Sequence, residues 1–287
     1  DQGQPVEAYP EIKASIAVRP EAAGTILAGA PKSLEQVWAD AAAGVPQAFE
    51  LPSSITMTAR TELGQAESAN VVGLLEGSDP ELRNEYVVFT AHLDHLGRGP
   101  AVDGDSIYNG ALDNASGVAA MLEAARLLAS TEPRPKRSIL FVAVTGEENG
   151  LLGSGRFAQN PTVPKEQLVA NVNMDMIGRT DEASQADRAH YALDSDRITP
   201  ELSRFVREVN ERTVRWPLKY ENESGNSDNL AFHFKGIPGV SFYSGHHSDV
   251  NKPTDDPEKL DYDKAEKIAR LAYEVTVALG NEPLPWR

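Results

Sequence analysis

Four short segments of the 287-residue chain place metal-capable side chains at the ends of apolar runs: AHLDHLG (91–97), GALDNASG (110–117), TGEENGLLGS (145–154) and NMDMIG (173–178). The side chains are His92, Asp113, Glu147, Glu148 and Asp175. Catalytic zinc takes imidazole and carboxylate ligands in an open four- or five-coordinate site. Two metals about 3.5–4 Å apart need a carboxylate that bridges them. Asp113 is the natural bridge, because it sits at a loop-to-helix junction where both oxygens can be presented. His92 and Asp175 would complete one metal, and Glu148 with a later histidine the other. Glu147 need not bind metal. A neighbouring carboxylate can take a proton from metal-bound water and pass it to a leaving group. Asp94, two residues after His92, could accept the other imidazole N–H and fix its tautomer.

Each of these residues has an ordinary reading when taken alone. Asp113 could cap the helix that follows it, and Asp175 could be a turn residue at a strand end. A glutamate pair after a strand is by default a solvated loop. These readings are separate, whereas one site for two divalent ions accounts for all five positions.

The elements that must position them are legible as runs and periods. NVVGLLEG, EYVVFTA (85–91), SILFVAVT (138–145), LVANVNMD (168–175) and PGVSFYSG (238–245) are short apolar runs rich in β-branched and aromatic residues, and read as strands. SITMTART (54–61) alternates like another. Helical patterns lie between several of them. SGVAAMLEAARLLAS (116–130) places Val118, Met121, Leu122, Ala125 and Leu128 on one face. ELSRFVREVNER (201–212) and DKAEKIARLAYEVTVALG (263–280) behave alike, the latter with Ile268, Leu271, Ala272, Val275 and Leu279. Strands alternating with helices predict a three-layer α/β/α sandwich around a mixed, mostly parallel sheet. His92, Glu147, Glu148, Asp175, and the pair His246 and His247 all follow strand ends, where open α/β sheets bind ligands. Before this core, residues 1–20 read as an extended arm and 19–44 as two short helices broken at Gly29 to Pro31. The expected division is an N-terminal arm and helical flank over 1–65, packing on a catalytic domain over 66–287.

Composition narrows the class. A net charge of −16 argues against nucleic acid and anionic membrane as partners. The chain has no cysteine, which excludes disulfides, thiolate chemistry and cysteine-ligated zinc. No run of 18 apolar residues exists, so no membrane-spanning helix is expected. Oligomeric state is left open.

With these motifs in order, together with SANVVGLLEGSDP before them and KPTDDPEKLD after them, the chain resembles the M28 family of zinc exopeptidases, the aminopeptidase and glutamate carboxypeptidase-like group. The resemblance covers roughly residues 65 to 280. It implies a co-catalytic pair of zinc ions, with His92 and Asp175 as terminal ligands on one side, Asp113 as the bridge and Glu148 on the other. It implies Glu147 as general base and acid, peptide substrates, and cleavage of an N-terminal peptide bond by metal-activated hydroxide. Related enzymes are usually exported, so a periplasmic or secreted location is expected, with no signal peptide in this chain.

One departure stands out. Relatives end the site with a segment like Asp-Tyr-His before a Pro- and Asp-containing run. Here the register set by KPTDDPEKLD reads Asp249, Val250, Asn251. Three outcomes are open: His247 serves as the replacement ligand, Asn251 binds through its amide oxygen, or the second site is lost. His247 is the expected ligand, because imidazole is the better partner for zinc. Two rival functions follow. A carboxypeptidase or dipeptidase would hold a substrate carboxylate with a basic residue such as Arg98, Arg156 or Arg179. A catalytically weakened binding module would follow from Val250 and Asn251.

Overall fold

The structure, a computed structural model, describes residues 18–45, 48–52, 66–180, 189–192, 200–221, 227–245 and 247–287, and residues 54, 56, 58, 60 and 64. The strand read at 54–61 and His246 therefore fall largely or wholly outside the described residues. The chain divides into two units, 1–66 and 67–287.

In the first unit, α1 (Pro20–Ile26) starts with a proline, whose fixed φ suits a first helical turn. Helix α2 (Leu34–Ala42) begins with a capping box. The Ser33 hydroxyl accepts the Gln36 N–H at 3.3 Å, and the Gln36 side chain accepts the Ser33 N–H at 2.8 Å. The chain turns between the helices at Gly29, whose φ is 75°.

Among the described residues the second unit is built on a sheet of seven strands: β1 (Val71–Leu75), β2 (Tyr86–His92), β5 (Ser138–Val144), β6 (Leu168–Met174), β7 (Ala189–Ala192), β8 (Leu218–Glu221) and β9 (Gly239–Tyr243). A separate hairpin pairs β3 (Gly97–Val102) with β4 (Asp105–Tyr108). The sheet order is β1-β5-β2-β6-β9-β7-β8. Strands β5, β2, β6 and β9 run parallel; β1 and β7 each pair antiparallel with a neighbour, β5 and β9, and β8 lies parallel to β7.

The run YVVFTAH is buried on both faces, which is why it reads as continuous rather than alternating. Val87, Phe89 and Ala91 join one core with Ala120, Met121 and Ala124 of α3 (Gly117–Ser130), Phe205 of α5 (Pro200–Arg212) and Leu271 and Val275 of α7 (Tyr262–Asn281). Val88 joins the opposite core with Phe157 of α4 (Leu152–Gln159) and Phe232 of α6 (Asn229–His233). The result is the expected three-layer α/β/α sandwich around a mixed, mostly parallel sheet. All five positions expected on the inner face of α7 are fully buried. The face of α3 differs from expectation. Gly117, Ala120, Met121, Ala124 and Leu128 are buried, while Leu122 is 62% exposed. The small residues let the helix approach the sheet closely, so the helix turns its alanines inward and leaves Leu122 outside. Among the described residues no helix is long and apolar enough to cross a membrane.

Candidate metal centre

Because β5, β2, β6 and β9 are parallel neighbours, their carboxyl ends open on one side of the sheet. His92 is the last residue of β2, and Asp175 directly follows β6. Glu147 and Glu148 lie in the turn after β5, where Gly146 takes a φ of 69°.

Asp113 lies in the segment before α3, whose Asp113 and Asn114 leave helical geometry. Asp255, fully buried, fixes that segment. Its carboxylate accepts the N–H of Leu112 at 2.9 and 3.1 Å and that of Asp113 at 3.1 Å. The Asn114 side chain ties the same segment to β6, donating to Met174 O at 3.0 Å and accepting the Met176 and Gly117 N–H groups. Gly117 must be glycine, since a Cβ there would sit 2.4 Å from the Asn114 Oδ1.

Two groups of side chains converge on Asp113. In the first, the Nε2 of His92 lies 3.2 Å from Asp113 Oδ1 and 3.3 Å from Asp175 Oδ1. In the second, the Nδ1 of His95 lies 2.6 Å from Glu148 Oε1 and 3.9 Å from Asp113 Oδ2. Within each group the possible ligand atoms all lie within 4.8 Å of one another. Ligands at 2.0–2.1 Å from a tetrahedral zinc are separated by about 3.3 Å. The two edges from His92 to the carboxylates already have that spacing, and the donors of the first group, one imidazole and two carboxylates, are types that catalytic zinc takes. The residues fit a metal.

His92 is oriented from behind. Its Nδ1 faces the main-chain oxygen of Asp94 at 3.0 Å, while the Asp94 carboxylate is 3.9 Å away. The tautomer-fixing partner is thus the Asp94 carbonyl rather than its carboxylate, which instead accepts the Glu147 N–H at 3.4 Å. Asp175 is oriented by a buried polar relay across the sheet. Asn171 donates to Thr90, Thr90 to Asn173, Asn173 to Ser227, and the Ser227 hydroxyl to Asp175 Oδ2 at 2.6 Å.

The centre is strongly acidic. Burial pushes the carboxyl of Asp113 up, pushes that of Glu147 to about 8 with Asp175 adding to the effect, and pushes that of the buried Asp228 to about 7. Burial pulls the His92 ring down, but its bonds to Asp113 and Asp175 outweigh that and push it up to about 12. Divalent cations would reverse this balance and favour every carboxylate in its charged form.

The structure therefore brings together His92, Asp113 and Asp175, and brings Asp113 to Glu148. Glu147 stands beside them. His247 is not in either group; its Nδ1 accepts the Asp249 N–H at 3.2 Å. Sequence reasoning passed over His95, Asp255 and Ser227. The first was detectable as the second histidine of His92-x-x-His95, one helical or turn repeat on from a ligand. The other two had no local signal.

Comparison with known proteins places the chain in a family. A protein described as a probable zinc metalloprotease from Pyrenophora tritici-repentis is 29% identical over 253 residues, 74% of this chain and 57% of its own length. Aminopeptidase YwaD of Bacillus subtilis is 31% identical over 186 residues, 62% of this chain and 36% of its own. The crystal structure of the LapA aminopeptidase of Legionella pneumophila shares the fold, with a TM-score of 0.61 at 23% identity, over 75% of this chain and 55% of that one. The chain spans about half the length of the curated relatives it matches. Residues 70–276 match the profile of peptidase family M28, with the two-sided acid and imidazole centre inside that span, and the chain belongs to this family.

Proposed function

We propose that this chain is the catalytic part of a zinc-dependent exopeptidase, an aminopeptidase that uses two ions to remove the N-terminal residue of peptides. The observation that carries the reading is the division of one carboxylate: Asp113 turns Oδ1 toward His92 and Oδ2 toward the Glu148 side. His92, Asp113 and Asp175 would hold one ion; Asp113 and Glu148 would hold the other with an imidazole. Zinc bound there would polarise the scissile carbonyl and acidify the attacking water.

The chain's own residues supply the rest. Glu147 is half-buried beside Asp175 and belongs to neither ligand group. Standing beside the ligands without being one of them, and ionised once cations offset its burial, it is placed to accept a proton from metal-bound water and hand it to the leaving amine. The carboxylates gathered at the centre favour a cationic N-terminus over a substrate carboxylate. Arg179, one basic candidate for a carboxylate clamp, is already engaged with Asp249 at 3.3 Å; Arg98 and Arg156 are exposed.

Leucine p-nitroanilide, its N-acetyl derivative and an N-acylated peptide with a free C-terminus test the reading. Turnover of the first alone is expected. Release of the C-terminal residue from the acylated peptide would replace it with a carboxypeptidase. A second reading, the weakened binding module, draws on Asn251, which is exposed with a φ of 58°. Zinc retained without turnover of any substrate would favour that module.

A further inference from the structure

We infer that His95 supplies the imidazole of the second metal position, and that Asn251 and His247 take no part in it. This rests on the reading of Asp113 as a shared carboxylate. The Nδ1 of His95 stands 2.6 Å from Glu148 Oε1 and 3.9 Å from Asp113 Oδ2, distances that straddle the about 3.3 Å ligand–ligand edge of a zinc site. The His95 side chain is only 9% exposed, and its other nitrogen makes no hydrogen bond among the described residues. Its Nδ1 is the nitrogen that faces the acid pair.

The ring is held in place by the segment that carries the shared carboxylate. Gly110, with a φ of 66°, lies against it. A Cβ at that position would sit 2.8 Å from His95 Cγ and 2.9 Å from Cδ2. The loop that presents Asp113 thus also shapes the seat for His95, so two of the three ligands of the second position are set by one piece of backbone.

The alternatives fit less well. His247 lies in neither ligand group, and its Nδ1 is taken by the Asp249 N–H. Asn251 is exposed, and a neutral amide oxygen is a weak partner for zinc. His95 lies three residues after His92, so the turn leaving β2 carries an imidazole for each ion. The position that relatives fill with a later histidine is then free to vary.

The test is metal binding, read without reference to turnover. The full chain is titrated with zinc, and bound metal is counted after removal of excess. Wild type, His247→Ala and Asn251→Ala should hold two ions, and His95→Ala one. The affinity loss at the second position should exceed the about 10- to 100-fold typical of losing an outer partner. Cadmium-113 NMR on His247→Ala gives a check that does not need a His95 variant to fold. Two cadmium signals, each coupled to an imidazole, are expected. Retention of two tightly held ions by His95→Ala, or loss of one ion in His247→Ala, overturns the assignment to His95 and leaves the two-metal reading standing. A wild-type chain that holds one ion or none overturns the two-metal reading itself.

Discussion

At the scale of single residues, the centre is a contest between protons and metal for the same atoms. His92 is squeezed between Asp113 and Asp175, and its pKa of about 12 means that the metal-free chain keeps a proton there at pH 7 to 9. Metal must displace that proton. Zinc uptake should therefore release protons, and apparent affinity should weaken as pH falls. Calorimetry in two buffers of different ionisation enthalpy measures this, and buffer-independent heats would contradict it. The sign for the metal-free fold runs the other way. Because the folded pKa lies above the ordinary value near 6.5, the charged His92 contributes its stability fully below that pH and loses it as pH climbs toward 12. Glu147 acts differently, since it is outside both ligand groups. Glu147→Gln should lower kcat by about 10²–10⁴-fold with metal content and unfolding midpoint unchanged. Loss of bound metal in that variant would move Glu147 from proton carrier to ligand.

At the scale of elements, the loop 110–117 is held by a residue more than a hundred positions away. Asp255 satisfies the N–H groups of Leu112 and Asp113 in a buried setting. Each buried donor left unpaired costs about 1–3 kcal/mol. Asp255→Ala should thus lower unfolding free energy by about 2–6 kcal/mol. It should also reduce bound metal, since Asp113 is then no longer fixed. Urea unfolding and metal counting on the same sample decide it; full metal retention would show that Asn114 alone orders the loop. The Ser227 contact to Asp175 is a milder case, because Ser227→Ala removes one hydroxyl and leaves the relay from Thr90 to Asn173 in place. The loop 247–259 is braced separately. Burial would raise the Asp249 carboxyl, but bonds from Lys259, Thr254 and Arg179 hold it well below the usual carboxylate range.

At the scale of the whole molecule, a chain of net charge −16 gathers Asp113, Glu147, Glu148, Asp175 and Asp228 around two imidazoles. Burying that much like charge favours unfolding unless cations offset it. Zinc at 1,000 times its dissociation constant would stabilise the fold by about 4 kcal/mol per site. Chelation should lower the thermal midpoint by roughly 10 °C and make it depend on free zinc; a scan that ignores chelator would show that the ions do not support the fold. Part of this picture is legible in the sequence. The strands ending at His92, before Glu147, and at Asp175 follow from β-branched runs, because burial on both faces leaves a local imprint on composition. The five acid and imidazole residues follow from their place after those runs. By itself, then, the sequence determined the layered fold and the side of the sheet on which the acid and imidazole residues gather. Tertiary structure alone decided that Leu122 faces out, that Asp255 locks the Asp113 segment, and that His95 rather than His247 stands at Glu148. These outcomes depend on how close two elements approach and on contacts between residues 53 to 143 positions apart, and no local pattern records either.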